Sequence, residues 1–472
     1  MFQRHLIEDR HIEPLADATM QVLQRVGILC QNTELIDALA DSGAEVDRHA
    51  QRVRFPRAMV ERFVDSLRHG TQTLAHDEGS SRLVPPPFPA LGGQVAQYFY
   101  DDDACCKRLG TSVDFITLIK LGDALHRDAG VGHCLLCTDT PPMLEPLHAA
   151  LLLSEYAHRP CWVYPWNVRQ IPYLEEMGAI LGVDNLWAWV AICFGHPLRF
   201  DTDVADRFVA MARAGQPIGL TAMPVAGVTT PVSIEGFIAV SAAEHVATWM
   251  AARAINPSVA LAGSQWAGTV DMRTGSVSYS AFDAMYHAFA SIEFIRRWTG
   301  VSIPPGSGEY CDARTPWMYA VLEKLYKSMT VAAFTGYHPG IGQGMLECGK
   351  TLSPAQLMLE RDMSAGLRQY GRMPQPCAET LPLDLVTDVD LGLKSNYLEA
   401  RHTLEHFREC LWLPEFVDRS GYAGPQSDEA ALAAAHARVQ ELVASHEKPE
   451  GREEQLAAMR EVIQRARVAL CT

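Results

Sequence analysis

Apolar residues recur at helical spacing through the first part of the chain. Ile12, Leu15, Ala16, Met20, Leu23 and Val26 share one side of a helix over 11–26. Asn32-Thr33 opens a second helix over 34–40 that stops at Ser42-Gly43, a short strand covers 51–55, and Pro56 suits the first turn of a third helix. Residues 1–70 thus predict an N-terminal helical lobe for packing or subunit contact, with nothing catalytic in type. Residues 71–110 read as an irregular connector with hairpins, carrying PPPFP at 85–89, Gly92-Gly93 and Asp101-Asp102-Asp103.

From about residue 111 the pattern becomes helix, short apolar strand, then a polar or Gly/Pro loop. Strands are predicted over 132–138, 160–166, 189–195, 218–223, 258–263, 301–303 and 331–336, with amphipathic segments over 144–157, 234–254 and 281–298. The expectation is an α/β fold, a TIM (β/α)8 barrel over 111–400, with one strand unlocated or supplied after 375. A doubly wound open sheet is the alternative. It loses because no strand is followed by a G-x-G-x-x-G or G-x-x-x-x-G-K-[ST] loop. Residues 401–472 form a C-terminal helical extension, with a helix over 396–412 and a long charged helical tail over 428–470.

The stretch 301–349 carries the densest chemistry. Its two apolar runs, VSI and VAAF, each lead into a glycine-rich loop, and between them Ala320, Leu322, Leu325 and Met329 alternate with Glu323, Lys324 and Lys327 at helical spacing. This reads as a βαβ unit whose loops present Glu309, Tyr310, Asp312, Tyr337 and His338 at the carboxyl ends of strands, where barrel sites are built.

With 48% hydrophobic and 20% charged residues, the 472-residue chain reads as globular, and its net charge of −16 disfavours nucleic acid. The same charge allows a mild attraction for cationic ligands. Twelve scattered cysteines, no signal-like start and no apolar run of about twenty residues predict a reduced cytoplasmic protein without a membrane span.

Metal chemistry finds only incomplete patterns. His402 and His406 share a helix face, but Thr403 follows the first where a zinc protease needs Glu, so helix packing is the plainer reading. Cys134 and Cys137 sit in an apolar strand with no second pair, and Cys311 and His338 could meet on the rim as a thiolate–imidazole metal site. No G-x-S-x-G follows a strand. Glu309 and Asp312 could serve acid–base work, although Asp312 could equally cap a helix starting near Thr315. The aromatics are more distinctive: Trp162, Tyr164 and Trp166 end one strand on one face, Trp266 follows another, and Tyr310 and Tyr337 follow two more. Around one cavity they would suit a quaternary ammonium through cation–π attraction; otherwise they fill a core.

These stretches resemble the trimethylamine methyltransferase superfamily, which includes the non-pyrrolysine glycine betaine methyltransferases. The carrying residues are VLQRVGILC and ALADSGAEVDRHAQRVRFPRAMVE near the start, TTPVSIEGFIAVSAAEH at 229–245, GEYCDAR at 308–314 and LEKL. With them go GIGQGMLECGKTLSPAQLMLERDM at 340–363, HTLEHFREC at 402–410 and the Asp418-Arg419 pair. The resemblance implies a TIM-barrel enzyme that demethylates a methylated amine. The acceptor would be Co(I) cobalamin on a separate corrinoid protein, with no metal bound directly. No pyrrolysine stands near SGEYCDAR, which favours a small quaternary amine, betaine-like, over a tertiary one; the family's S-D-A-K here reads Cys311-Asp312-Ala313-Arg314.

The roles so implied place Glu309 and Tyr310 around the ammonium, Asp312 orienting their loop, and Tyr337 and His338 facing substrate or cobalt. Trp162, Tyr164, Trp166 and Trp266 would be cage walls, Arg314 would meet a substrate carboxylate, and Gly340, Gly342 and Gly344 would let the corrin ring approach. A homo-oligomer joined through the N-terminal lobe or terminal helices follows from family habit. Two alternatives stand beside this reading. One is a zinc-dependent thiol or alcohol methyltransferase using Cys311 and His338; the other is a barrel that binds a methylamine or a corrinoid protein without turnover.

Overall fold

Short extended stretches lie side by side in parallel, and a helix follows each. In the computed structural model, which describes residues 5–69, 84–86, 90–306, 308–393 and 395–471, Leu91 and Ala96 pair with Val131 and Leu135. Val131 pairs with Pro160, Val163 with Trp187, and Ile192 with Leu220. Strand Ile218–Ala222 then runs parallel to Leu261–Gln265, and Gln265 pairs with Pro305. The helices that follow in turn are Ser112–Leu125, Glu145–Tyr156, Ile171–Leu181, Thr202–Arg213, Ile234–Ile255, Phe282–Thr299 and Met318–Thr335. This is a mixed α/β protein with several small sheets. Burial alternates along Ile218–Ala222 as the period-two geometry of a strand requires. At Gly219 an added Cβ would lie 1.7 Å from the Ala262 carbonyl oxygen, so only glycine allows that neighbour so near.

Several sequence expectations are corrected. The run 331–336 is not a strand but the last turns of helix Met318–Thr335, which ends at Gly336 in the left-handed conformation. No helix breaker precedes Gly336, and Val331 and Ala332 simply continue the buried face. The proposed βαβ unit therefore lacks its second strand. The connector carries more order than its composition suggests. Beyond Leu91 and Ala96, Tyr98–Asp101 and Cys106–Leu109 form an antiparallel hairpin, and Tyr98–Asp101 pairs in parallel with Thr351–Leu352. Residues 70–83 and 87–89, including most of PPPFP, lie outside the described residues. The helix expected over 396–412 is the shorter Arg401–Cys410, and the tail divides into Pro425–Ala444 and Glu453–Leu470, with Pro449 and Gly451 between them.

Two apolar cores hold the molecule, and each joins a chain terminus to half of the α/β body. The first packs Leu15, Met20, Leu23, Leu35, Val53 and Phe55 with Phe208, Trp249, Phe294 and Trp298. There Ile28–Cys30 also pairs in parallel with Arg199–Phe200. The second packs Phe115, Leu118, Leu147 and Leu174 with Leu357, Val439, Met459, Val462 and Ile463. The apolar faces of both terminal regions are thus buried inside the same chain. Among the described residues no helix is long and apolar enough to cross a membrane.

Candidate active site

Past the carboxyl ends of Leu261–Gln265 and of the stretch at 305, two aromatic rings meet. Trp266 and Tyr310 have ring centroids 4.1 Å apart, and Tyr279 stands edge-on to Tyr310 at 6.2 Å. Gly306 makes this possible, because a Cβ there would fall 1.9 Å from the Trp266 indole. The Tyr310 hydroxyl accepts from Gln94 Nε2 at 2.9 Å, which ties it to the chain near Gly349, whose carbonyl also accepts from Gln94. Over the two rings sits Lys327, its Nζ 5.0 Å from the Trp266 centroid and 5.7 Å from that of Tyr310. Its nitrogen donates to the Tyr310 carbonyl at 3.3 Å, and among the described residues no carboxylate lies within ion-pair distance of it. Burial pushes the Lys327 pKa down to about 8. A cavity of about 20 Å³, lined in part by Gln265, Trp266, Tyr279 and Lys327, remains beside the amine, enough for about one water.

Glu309 does not face this cage as a free carboxylate. Its Oε2 accepts from Lys324 Nζ at 3.2 Å, and its Oε1 accepts from the Gln343 amide at 3.3 Å. Lys324 is fully buried and also donates to Glu360 Oε1 at 2.5 Å; Glu360 Oε2 takes the Gly344 amide at 3.0 Å. The ion cluster therefore staples the loop after 305 to the glycine loop 338–344. Burial raises the Glu309 pKa to about 7, with Lys324 opposing and Glu360 adding to the rise. Burial also works against the Lys324 charge, but Glu360 and Glu309 outweigh it and lift that amine.

Asp312 accepts from Ser278 Oγ, and Cys348 Sγ donates to it at 3.4 Å. Its own amide and that of Ala313 donate to Glu323 Oε2 at 2.6 and 3.1 Å. Asp312 thus holds its loop in place and caps no helix, since the next helix begins at Met318. Cys311 is buried, donates to the Met345 carbonyl at 3.5 Å, and has its thiol pushed up to about 12 by burial. Among the described residues the group of three potential ligands close enough to share an ion is Asp123, His158 and His446, which includes neither Cys311 nor His338.

The loop after Gly336 places His338 fully inside the protein, its Nδ1 accepting from the Gly340 amide at 3.0 Å. The proton then belongs on Nε2, which has no hydrogen-bond partner among the described residues, and burial lowers the pKa to about 4. His338 is neutral at ordinary pH. Gly340 is half-buried with Pro86 as its nearest foreign neighbour, 3.7 Å from a built Cβ. Gly342 and Gly344 are buried, and a Cβ on Gly344 would meet the Ser353 carbonyl oxygen at 2.5 Å. Gly344 thus serves close packing of the chain. Tyr337 and Arg314 are exposed.

Trp162, Tyr164 and Trp166 build a different cluster. Trp162 Nε1 donates to the Tyr164 hydroxyl at 2.8 Å, and Trp166 Nε1 donates to Glu145 Oε2 at 3.0 Å. His133, fully buried, stacks on Tyr164 and sits 3.0 Å from Glu145 Oε1. Trp162 also lines an open cleft of about 800 Å³ with Trp187, Trp189 and residues of Ile171–Leu181. The structure thus brings Trp266, Tyr310 and the loop of Glu309 and Asp312 together, and sets the 162–166 aromatics in a network of their own.

The profile of the family described as trimethylamine methyltransferase matches residues 2–470. The chain belongs to that family. Among its relatives is a glycine betaine methyltransferase of Desulfitobacterium hafniense strain Y51, 26% identical over 94% of this chain and 93% of the relative. A trimethylamine methyltransferase of Desulfitobacterium hafniense strain DSM 10664 / DCB-2 is 21% identical over 87% and 83%. One of Methanosarcina mazei is 22% identical over 95% and 92%. The family's enzymes are named for methyl transfer, and this chain is a methyltransferase. Its site depends on residues that sequence reasoning passed over: Lys327, Lys324, Glu360, Gln94 and Tyr279. For the two lysines a signal existed. They are three apart on a helix whose other positions are mostly apolar, so they share a face, and both are buried.

Proposed function

We propose that this methyltransferase moves a methyl group from a small quaternary amine, betaine-like, to Co(I) of a partner corrinoid protein. The observation that carries this reading is the ammonium of Lys327 lying over Trp266 and Tyr310 with a carbonyl and, among the described residues, no carboxylate as its partner. Rings that accept one desolvated ammonium have the electrostatics to accept another. In the reaction the C–N bond breaks, its electron pair stays on nitrogen, and a tertiary amine leaves. A quaternary nitrogen has no lone pair to protonate, so no general acid is needed, and positioning does most of the work.

The parallel succession from 91 to 305 supports an eight-stranded barrel whose first strand is 91–96, within the stretch that composition assigned to a connector. The 338–343 segment supports closure. A Cβ on Gly308 would lie 2.3 Å from the Gly340 carbonyl oxygen, and Gly92 donates to Gln343 Oε1 at 3.1 Å. In this reading Trp266, Tyr310 and Tyr279 hold the ammonium, while Glu309 and Asp312 fix the loop that carries Tyr310. The corrinoid supplies a cobalt nucleophile that accepts the methyl group. Two features suit it: the partnerless Nε2–H of His338 and the open side of Gly340. All twelve cysteines are free thiols, which agrees with a reducing cytoplasm.

The test mixes the protein with its cognate corrinoid protein, reduced to Co(I), and a panel of quaternary and tertiary methylamines. Loss of the Co(I) absorption with one quaternary compound and none of the tertiary ones is expected. Silence across the panel, or turnover of tertiary amines alone, would overturn the substrate class.

A further inference from the structure

Outside the aromatic site, three distant stretches of chain bring a carboxylate and two imidazoles together. Asp123 lies in the last turn of helix Ser112–Leu125, His158 just follows helix Glu145–Tyr156, and His446 just follows helix Pro425–Ala444. The Asp123 side chain is 1% exposed. Its Oδ1 accepts the His158 amide at 2.7 Å, and its Oδ2 stands 2.7 Å from His158 Nδ1. His446 Nε2 stands 3.3 Å from the same Oδ2, on a side chain 3% exposed. That nitrogen nevertheless makes no hydrogen bond among the described residues. One carboxylate oxygen and two ring nitrogens thus lie within 4.8 Å of one another.

The turns that carry the two histidines are fixed by contacts other than those to Asp123. Arg452 donates to the carbonyls of Ser154, Ala157 and His158, and Lys448 pairs with Glu155 at 3.4 Å. Both rings are therefore held at the carboxylate by their surroundings, as a preorganised ligand set requires. A hydrogen-bonded latch explains His158, but it leaves the buried Nε2 of His446 facing an oxygen to which it does not bond. The carboxylate is poorly neutralised too. Arg127 reaches its Oδ2 only at 3.8 Å, from a side chain 63% exposed.

We infer that Asp123, His158 and His446 bind a zinc ion, with water as the fourth ligand, and that the ion ties the C-terminal helices to the body. Two imidazoles and one carboxylate suit zinc, whereas magnesium and calcium prefer oxygen ligands throughout. Bonds of about 2.0–2.1 Å to a tetrahedral ion set ligand atoms roughly 3.4 Å apart. Asp123 Oδ2 and His446 Nε2 already stand at 3.3 Å, and His158 Nδ1 needs to withdraw by less than about 1 Å. The His158 proton then sits on Nε2 instead of Nδ1, so each ring binds neutral through a lone pair. The His158 side chain is partly exposed, which gives the ion a way in from solvent. The role is structural and separate from methyl transfer: one ion bridges helix Ser112–Leu125, the turn at 158 and the turn at 446.

The test strips the full chain with a chelator and dialyses it against zinc chloride at micromolar free zinc, where one bound ion per chain is expected. His446→Ala should weaken that binding by at least ~100-fold, the most that losing a mere outer partner of a ligand costs. Zinc should raise the melting temperature of the parent and not of this variant. The paired change His402→Ala and His406→Ala, on the exposed helix Arg401–Cys410, should leave binding as it was. Cobalt(II) in place of zinc should show visible d–d bands without the near-ultraviolet bands of thiolate ligation, which excludes the twelve cysteines as the source. Crystals of the full chain soaked in zinc chloride need no variant, and they should show anomalous density between Asp123, His158 and His446. Less than one ion per chain overturns the inference. So do thiolate bands in the cobalt spectrum, binding that survives His446→Ala or is lost with His402 and His406, and crystals without zinc density at Asp123.

Discussion

At the scale of single residues, the site is governed by burial of charge. Glu309 is held by Lys324 and shares it with Glu360, a cluster with one cation for two carboxylates. Its pKa of about 7 lies above the ordinary glutamate value of 4.5, so between those values the folded state binds more protons than the unfolded one. Its contribution is fully present below pH 4.5 and is lost as pH rises through about 7. Melting temperatures of the parent and Glu309→Gln, compared from pH 5 to 8, should diverge with rising pH in the variant's favour; parallel curves would refute the shift. Lys327 behaves in the opposite sense. Its pKa of about 8 lies below 10.5, so its burial penalty is complete below pH 8 and is relieved as pH climbs toward 10.5. An ammonium beside it also repels a cationic substrate. Lys327→Met, which keeps the stem and removes the charge, is expected to tighten quaternary-amine binding by about tenfold at pH 7, roughly 1.4 kcal/mol. Titration calorimetry should also show the parent, and not the variant, gaining affinity as pH passes 8.

Among elements, the helix Met318–Thr335 does most to define the site. It delivers Glu323 to the Asp312 loop, Lys324 to Glu309 and Lys327 to the aromatic pair, each from its inner side. Read by pattern, its second half looks like a strand because VAAF is short and apolar, and periodicity over so few residues cannot separate the two. Helical hydrogen bonding down to the Gly336 amide, which donates to the Ala332 carbonyl, settles the matter. Proline at Ala333 would then sit in a helix interior, and Ala333→Pro should cost about 3 kcal/mol in urea unfolding. A change below about 1 kcal/mol would restore the strand.

For the whole molecule, closure of both cores by chain termini means that neither end is an appendage. Met459, Val462 and Ile463 pack with Leu147 and Leu174 across the second core, and Arg452 donates to the Ser154, Ala157 and His158 carbonyls. A chain ending at residue 424 exposes that core and is expected to be insoluble, or to lose cooperative melting. A soluble truncated chain with a sharp transition would show the C-terminal helices to be dispensable.

The sequence by itself determined the alternation of strand and helix and the family. These depend on local periodicity and on motifs that read the same in any context. Tertiary structure decided which groups are charged, paired or free. From sequence Glu309 was a ligand for an ammonium; in the structure it accepts from Lys324, a lysine buried away from water. The bonds that the 162–166 aromatics make to one another and to Glu145 were not legible either, since a strand's alternation fixes a face without saying what that face meets. The first parallel stretch hid in a connector because Gly92 and Gly93 mask a pairing made of isolated bridges. Burial and long-range pairing are properties of the packed molecule, and no window of sequence contains them.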